Sequence, residues 1–260
     1  YTKLGDLVKM LKYIQTFIFM VLISGCASKH IINPEYPFAK AVMKKRIIGG
    51  HAEGEPQLVP TQLTERECEE WYRLGNPKEQ AIYHLEEKDF IPGKTYTLYS
   101  ATIFKKTKIR EFVVNNECKL ISLKDQIPLS IQTFPCSDFI KGEEISYVLV
   151  SESEDEFIIA TATPDPIETK WDDGANVSIV VLSPTLDLFL EKGKGFNPGE
   201  KISLISCSNS EEILVEINIP ENGEFISFLE PATKSSDSGH STTVIKRENT
   251  GEERTLKYSY

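Results

Sequence analysis

Beyond residue 90, short apolar runs follow one another at regular intervals, and turn-forming residues separate them. The runs are rich in β-branched and aromatic residues, and several alternate apolar and polar positions, as strands with one buried face do. The predicted strands span residues 96–103, 111–114, 145–150, 157–161, 177–182, 202–205, 213–217, 225–228, 242–245 and 255–258. No long helical period interrupts them, so the pattern predicts an all-β sandwich fold rather than alternating strands and helices.

A helical signal precedes these strands. Thr64 and Glu67 have the spacing of a capping box, in which each side chain bonds the backbone N–H of the other residue at the start of a helix. A short helix is therefore predicted after Thr64, with Gly75 and Pro77 ending it. Pro77 is also predicted to open one or two further helical turns that run as far as Leu85.

Residues 26–60 are rich in glycine and proline, which interrupt helices and strands. We interpret this segment as a tether between the N-terminal part of the chain and the folded body. The N-terminal part itself contains one largely apolar run, residues 14–23, which is half as long as a membrane-spanning helix needs to be. Lys9 and Lys12 supply positive charge before it, and Met10 is the expected translation start. This arrangement is typical of a secretory signal peptide.

The end of the apolar run carries a more specific motif. Ile23, Ser24, Gly25 and Cys26 resemble the lipobox of bacterial lipoproteins. The resemblance implies cleavage before Cys26 and attachment of a diacylglycerol, with acyl chains such as palmitate, to its thiol. Two or more acyl chains give a stable membrane anchor. Ala27 stands where an aspartate would signal inner-membrane retention, so the resemblance favours the outer membrane of a bacterial envelope, on its periplasmic or its surface face.

The chain also contains an internal repeat. Residues 139–154 and 196–211 align without a gap, and eight of the sixteen positions are identical, where chance predicts about one. Both copies begin Phe-x-x-Gly-Glu-x-Ile-Ser, and residues 90–97 form a weaker third copy. The spacings of 49 and 57 residues are in the range of repeated supersecondary units. We interpret each copy as a glycine turn followed by an alternating strand.

The stretch 195–202, Gly-Phe-Asn-Pro-Gly-Glu-Lys-Ile, resembles a phrase near the second strand of bacterial immunoglobulin-like modules, and 238–245 resembles one of their late strands. The resemblance implies tandem immunoglobulin-like sandwiches. A unit of about 50–60 residues is short for a seven-stranded sandwich, so two complete modules and three truncated ones both remain open. The domains predicted for three units are 1–25 (signal peptide), 26–60 (lipid-anchored tether), 61–126 (helical segment and first β unit), 127–184 (second β unit) and 185–260 (third β unit).

Charge restricts the partners. The chain carries 29 Lys and Arg residues against 39 Asp and Glu, a net charge of −10. Loss of the first 25 residues would remove three lysines and one aspartate, which leaves −12. The longest uninterrupted run of basic residues is Lys44-Lys45-Arg46, so no nucleic-acid partner is expected for so acidic a chain.

Four cysteines remain after Cys26. Cys68, Cys118, Cys136 and Cys207 are even in number in an exported chain, and they permit two disulfides in any of three pairings. Their wide spacing and the lack of nearby histidines argue against a zinc site. No metal and no other cofactor is expected.

Two short stretches of the sequence resemble motifs of an enzyme family. Residues 46–50, Arg-Ile-Ile-Gly-Gly, resemble the activation site of trypsin-like serine proteases, and residues 237–239 resemble part of their nucleophile motif. His84 precedes Ser238, as the order of that triad requires. The residues around both positions depart from that family, so no catalytic residue is assigned and the protein is predicted not to be an enzyme.

Trp171, Asp172 and Asp173 stand together in a predicted loop and form the candidate binding site. A Trp171 that plugs the core is the favoured interpretation, whereas an exposed ring would suit ligand contact. The acidic turns at 151–156 and 172–174 lack the alternating oxygen spacing of a calcium loop, so we interpret them as solvated turns.

Together these observations predict a lipid-anchored bacterial envelope protein whose Ig-like modules act in binding, in adhesion or as a structural spacer. It would contact the membrane through its N-terminal lipid, and an unidentified protein or glycan through loops or edge strands. An alternative is a periplasmic adaptor or assembly lipoprotein that docks through residues 61–87. An enzyme with a site assembled from loops is a third hypothesis.

Overall fold

The structure is a computed structural model that describes residues 38, 41–42, 44–45, 54–75, 81–136, 139–208, 211–230 and 239–259. Ala41–Tyr260 form one compact unit. Helix α1 is Glu65–Arg73, and a short 3-10 turn covers Leu129–Ile131. The strands are β1 (Gln57–Gln62), β2 (Ala81–Lys88), β3 (Thr95–Ala101), β4 (Lys106–Val114), β5 (Leu120–Ser122), β6 (Thr133–Cys136), β7 (Ile145–Ser151), β8 (Phe157–Ala162), β9 (Ile167–Lys170), β10 (Asn176–Val181), β11 (Phe189–Lys194), β12 (Lys201–Ser208), β13 (Glu211–Asn218), β14 (Phe225–Leu229), β15 (His240–Arg247) and β16 (Glu253–Ser259).

The first eight strands form a sandwich of two antiparallel sheets. One sheet has the order β1-β2-β6 and the other the order β5-β4-β3-β7-β8. Along β3, Tyr96 and Leu98 are fully buried while Thr97 and Tyr99 are only half-buried, as the period of two requires. Both sheets contribute to a single core, which includes Leu58, Leu85, Tyr96, Leu98, Phe112, Ile145, Tyr147 and Leu149.

The remaining eight strands form a second sandwich with its own core. The order is β14-β11-β10-β9 in one sheet and β13-β12-β15-β16 in the other. In β11, a Cβ on Gly193 would lie 1.8 Å from the ring of Phe225, so the glycine allows this ring to pack flat against the strand. The core includes Trp171, Val177, Ile179, Phe189, Phe196, Ile202, Leu204, Ile245, Leu256 and Tyr258.

Seven strands correspond between the two sandwiches. In one sheet β1, β2 and β6 match β10, β11 and β14, and in the other β4, β3, β7 and β8 match β13, β12, β15 and β16. Three antiparallel strands packed on four are the arrangement of immunoglobulin-like modules, so the predicted fold class is confirmed. The first module adds β5 as an outer strand and the second adds β9.

The modules are divided differently from the three predicted units. A boundary at 126/127 would separate β6 from β2 and β7 from β3, and one at 184/185 would separate β10 from β11. Two complete modules, 57–162 and 167–259, replace the three units, because hydrogen bonding between distant strands sets the module and local periodicity does not.

Helix α1 begins as predicted, whereas the next segment does not follow the prediction. The N–H of Thr64 donates to Glu67 Oε2 at 2.8 Å, and the N–H of Glu67 donates to Thr64 Oγ1 at 3.4 Å, which confirms the capping box. The predicted helical turns up to Leu85 are wrong, since Ala81–Lys88 is the central strand β2 between β1 and β6. Strand β1 also begins inside the predicted tether, at Gln57.

In the structure, the two close copies of the repeat form the same type of turn. Its glycine has a φ of 79° in one copy and 77° in the other. In both, the glutamate side chain bonds back to its own turn: Glu143 Oε2 accepts from the N–H of Ile140 at 3.1 Å, and Glu200 Oε2 from the N–H of Asn197 at 3.3 Å. The first copy precedes β7 and the second β12, which are not equivalent strands. The equivalent of the second copy is the weaker one at 90–97, which precedes β3.

Candidate binding site at the module junction

The contact between the modules is built on the turn before β7. Glu143 is fully buried there, and its carboxylate accepts hydrogen bonds from the backbone N–H groups of Ile103 at 2.6 Å and Ile140 at 3.1 Å. Ile103 lies in the loop between β3 and β4, so Glu143 ties two loops of the first module together. A buried carboxylate requires such donors, because burial without them is costly.

Backbone hydrogen bonds continue from this turn into the linker and the second module. The N–H of Gly142 donates to the carbonyl of Asp165 at 2.7 Å, and the N–H of Val181 donates to the carbonyl of Gly142 at 3.0 Å. A Cβ on Gly142 would lie 2.7 Å from Ile167 Cδ1, and the residue has a positive φ. Glycine is therefore required both by the turn and by the close approach of the modules.

Side chains complete the junction. Ile103 and Ile140 belong to loops of the first module, yet they pack against the core of the second. Lys192 of β11 forms an ion pair with the largely buried Glu144 at 3.4 Å. We name the residues 139–144 together with Ile103 the junction turn, and it makes the linker a packed interface instead of a free connection.

A cleft of about 490 Å³ opens beside the junction turn. The first module contributes Ile140 and Lys141 to its walls. The second contributes Ile167, Leu186 and the strand ends 240–242 and 257–259. Two strand ends are joined there, since His240 Nδ1 lies 2.9 Å from Ser259 Oγ. We call this the junction cleft.

The predicted candidate site at 171–173 lies elsewhere in the second module. Trp171 is only 4% exposed and packs edge-on against Phe196, with 5.6 Å between ring centroids. The guanidinium of Arg247 lies 5.8 Å from the Trp171 ring and 5.6 Å from the Phe196 ring. Trp171 is therefore a core residue, and the alternative of an exposed, ligand-binding ring is wrong.

Arg247 holds this region together through its charge. It is 3% exposed, and its Nε and Nη2 donate to the two oxygens of Glu200 at 2.5 and 2.9 Å. Its Nη1 donates to Asp173 at 2.6 Å. The bond to Glu200 raises the pKa of Arg247, and the bond from Arg247 lowers the pKa of Asp173. Asp172 stays exposed beside them. The cluster fixes the β9–β10 hairpin to the other sheet, which is a structural role.

No disulfide joins the four described cysteines. Cys68 lies in α1, Cys118 in the turn between β4 and β5, Cys136 in β6 within the first core, and Cys207 at an exposed position of β12. None of the three possible pairings is formed in the structure, in which the four residues lie on separate elements of both modules.

Ile23, Ser24, Gly25 and Cys26 lie outside the described residues, so the lipid anchor stays a prediction. Across the described ranges, every helix is too short or too polar to cross a bilayer. In the same part of the chain, no three His, Cys, Asp or Glu side chains are close enough together to hold a metal ion.

Sequence reasoning missed the residues that build the junction. The Phe-x-x-Gly-Glu pattern occurs in both close copies, and it could have marked Glu143 and Glu200 as structural carboxylates. Lys141 and Lys257 carry no local signal, because they line the same cleft only when β16 of one module lies beside a loop of the other.

Comparisons with known proteins add little. No protein-family model and no curated protein matches the chain. One matching structure is a tetra-tandem repeat in the extending region of a large adhesion protein, at 6% identity and a TM-score of 0.24, covering 79% of this chain and 49% of that one. A second is the FN1–FN3 domains of chicken CNTN1, at 11% identity and a TM-score of 0.24, covering 69% of this chain and 60% of that one. A third is the serine-rich repeat protein Srr2 of Streptococcus agalactiae, at 10% identity and a TM-score of 0.19, covering 79% of this chain and 92% of that one. The chain thus spans about half of the first structure. All three TM-scores are below 0.5, so the strand order alone identifies the fold.

Proposed function

We propose that this protein is a lipid-anchored component of the bacterial envelope, in which two joined Ig-like modules act as a non-enzymatic binding module and spacer. The anchor is supported by the lipobox resemblance at residues 23–26 and by the apolar run before it. The spacer role is supported by one observation above all, the packed junction around the buried Glu143.

The junction matters because modules in one chain move relative to each other by default, unless their interface is extensive and well packed. Here the junction turn combines a buried carboxylate, backbone hydrogen bonds and two inserted isoleucines. A ligand bound at one module would thus keep a fixed orientation to the other. That property suits a module that presents a binding surface away from a membrane.

The anchor is tested in a bacterial host with the full chain and its Cys26→Ser variant. We expect the wild-type chain to be membrane-bound, with a mature N-terminus at an acylated Cys26 by mass spectrometry, and to accumulate unprocessed under globomycin, an inhibitor of lipoprotein signal peptidase. Cys26→Ser should lose both lipid and membrane association, and Cys68→Ser should keep them. A wild-type chain that is unprocessed and free of acyl groups would contradict the anchor.

The spacer role is tested by a distance measurement between modules. Cys118 and Cys207 are exposed, one in each module, and can carry spin labels in a chain that lacks the other accessible thiols. We expect a narrow distance distribution for the parent chain and a broad one for Glu143→Ala, because the two loops lose their common acceptor. Glu224→Ala, at an exposed glutamate, is the matched control. A Glu143→Ala chain that folds and keeps the narrow distribution would refute a rigid junction.

An adaptor role is the second candidate, and α1 favours it. None of the residues of this helix is buried, and Leu74 at its end is 81% exposed. A photocrosslinker at Tyr72 in intact cells would separate the two roles. Capture of a subunit of an envelope complex at this position, but not at the junction cleft, would favour the adaptor.

A further inference from the structure

We infer that the junction cleft binds an acidic saccharide, with the sugar carboxylate held between Lys141 of the first module and Lys257 of the second. The inference rests on the proposed binding role and gives it a ligand class. It follows from the charge, the polar groups and the apolar walls of the cleft, taken together.

Charge is the first argument. The chain as a whole has a net charge of −10, yet Lys141, His240 and Lys257 line the cleft, and none of the described Asp and Glu residues does. Neither lysine forms an ion pair with a carboxylate among the described residues, although most of the chain's charge is acidic. Two cations without a counter-ion, facing one cleft, attract an anion, and ammonium–carboxylate hydrogen bonds are among the stronger ones.

The polar groups are the second argument. Ser241 is 2% exposed, and its hydroxyl has no hydrogen-bond partner in the described part of the chain. A buried polar group without a partner is costly, so a ligand that supplies one is favoured. Thr242 and Ser259 add further hydroxyls to the walls. Several hydroxyls beside cations match a ligand that carries both hydroxyl groups and a carboxylate.

The apolar walls are the third argument, and they exclude a bare inorganic anion. Ile140, Ile167 and Leu186 give the cleft apolar walls, and its volume of about 490 Å³ is within the range of small-molecule sites. Phosphate or sulfate would leave this apolar surface in contact with water. A sugar ring presents a C–H face that can cover it. Because the two lysines belong to different modules, the site is complete only when the junction is formed.

The test is isothermal titration of the full chain in detergent with methyl galacturonide, methyl galactoside and inorganic phosphate. We expect saturable binding of the galacturonide only. Lys141→Gln and Lys257→Gln should each raise its Kd about tenfold, the loss of one charged hydrogen bond. Lys201→Gln is the matched control, since this exposed lysine begins β12 at the end remote from Ser241 and should leave the Kd unchanged.

Three results would overturn the inference. These are no saturable binding of the galacturonide, equal binding of phosphate, which indicates a bare anion site, or a Kd that neither lysine substitution changes. Mass analysis of the N-terminus in the same sample separates this failure from that of the proposed function. An acylated Cys26 with no saccharide binding would refute the ligand and leave the anchor standing.

Discussion

Glu191 is the residue whose ionisation should most strongly affect the second module. It lies on β11 between Phe189 and Gly193, on the face that packs into the core, and it is 0% exposed. Neither carboxylate oxygen has a hydrogen-bond partner among the described residues, and the nearby Thr243 hydroxyl does not satisfy them. Burial raises the pKa of Glu191 from 4.5 to about 7, and the nearby Thr243 hydroxyl partly offsets that effect.

The sign and size of the effect follow from linkage. Because the pKa is higher in the folded than in the unfolded chain, the folded state binds the proton more tightly. The stabilisation that comes from this tighter proton binding is fully present below 4.5, the pKa in the unfolded chain. It is lost as the pH rises through about 7, the pKa in the folded chain. A difference of about 2.5 pKa units corresponds to about 3.4 kcal/mol in full, and to about 2 kcal/mol between about pH 5.5 and about pH 8.5.

The assay is urea denaturation of the parent chain, Glu191→Gln and the exposed-site control Glu216→Gln at these two pH values. Subtracting the Glu191→Gln values cancels the titration of all other groups. We expect the free energy of unfolding of the parent, relative to Glu191→Gln, to fall by about 2 kcal/mol from the lower to the higher pH. Glu216→Gln should track the parent at both. If the difference in the free energy of unfolding between the parent and Glu191→Gln did not change with pH, the conclusion that the Glu191 carboxyl is buried without a partner would be wrong.

Three further predictions concern stability. Arg247→Ala should lower the free energy of unfolding by about 3–5 kcal/mol in denaturant titrations, because it leaves the 3%-exposed Glu200 as an unpaired buried charge. A loss below about 1 kcal/mol would show that the pair is solvated. Gly193→Ala should cost at least about 1–3 kcal/mol in the same titration, since the new methyl would lie 1.8 Å from the ring of Phe225; unchanged stability would place that ring elsewhere. Thr64→Ala should cost about 1 kcal/mol, confined to α1 and visible as faster amide hydrogen exchange there, and unaltered exchange in α1 would argue against the cap.

Local sequence signals predicted local structure well. The ten predicted runs all fall within or beside observed strands, because alternation and β-branched residues reflect a strand's own half-buried environment. The capping box set the start of α1 in the same way, since its partners are three residues apart. The prediction of helical turns in the segment 81–88 was wrong for a related reason. Its helix-compatible residues become a strand only through hydrogen bonds to β1 and β6.

The sequence by itself determined where the chain forms strands and turns, including the Phe-x-x-Gly-Glu turn, whose glycine and glutamate interact within a few residues. Only the tertiary structure decided that these strands make two modules and that the two close copies of the turn occupy different positions. It also decided that Glu143, Glu191 and Arg247 are buried, and that Lys141 and Lys257 face one cleft. Each of these depends on contacts between residues far apart in the chain, on which local periodicity carries no information.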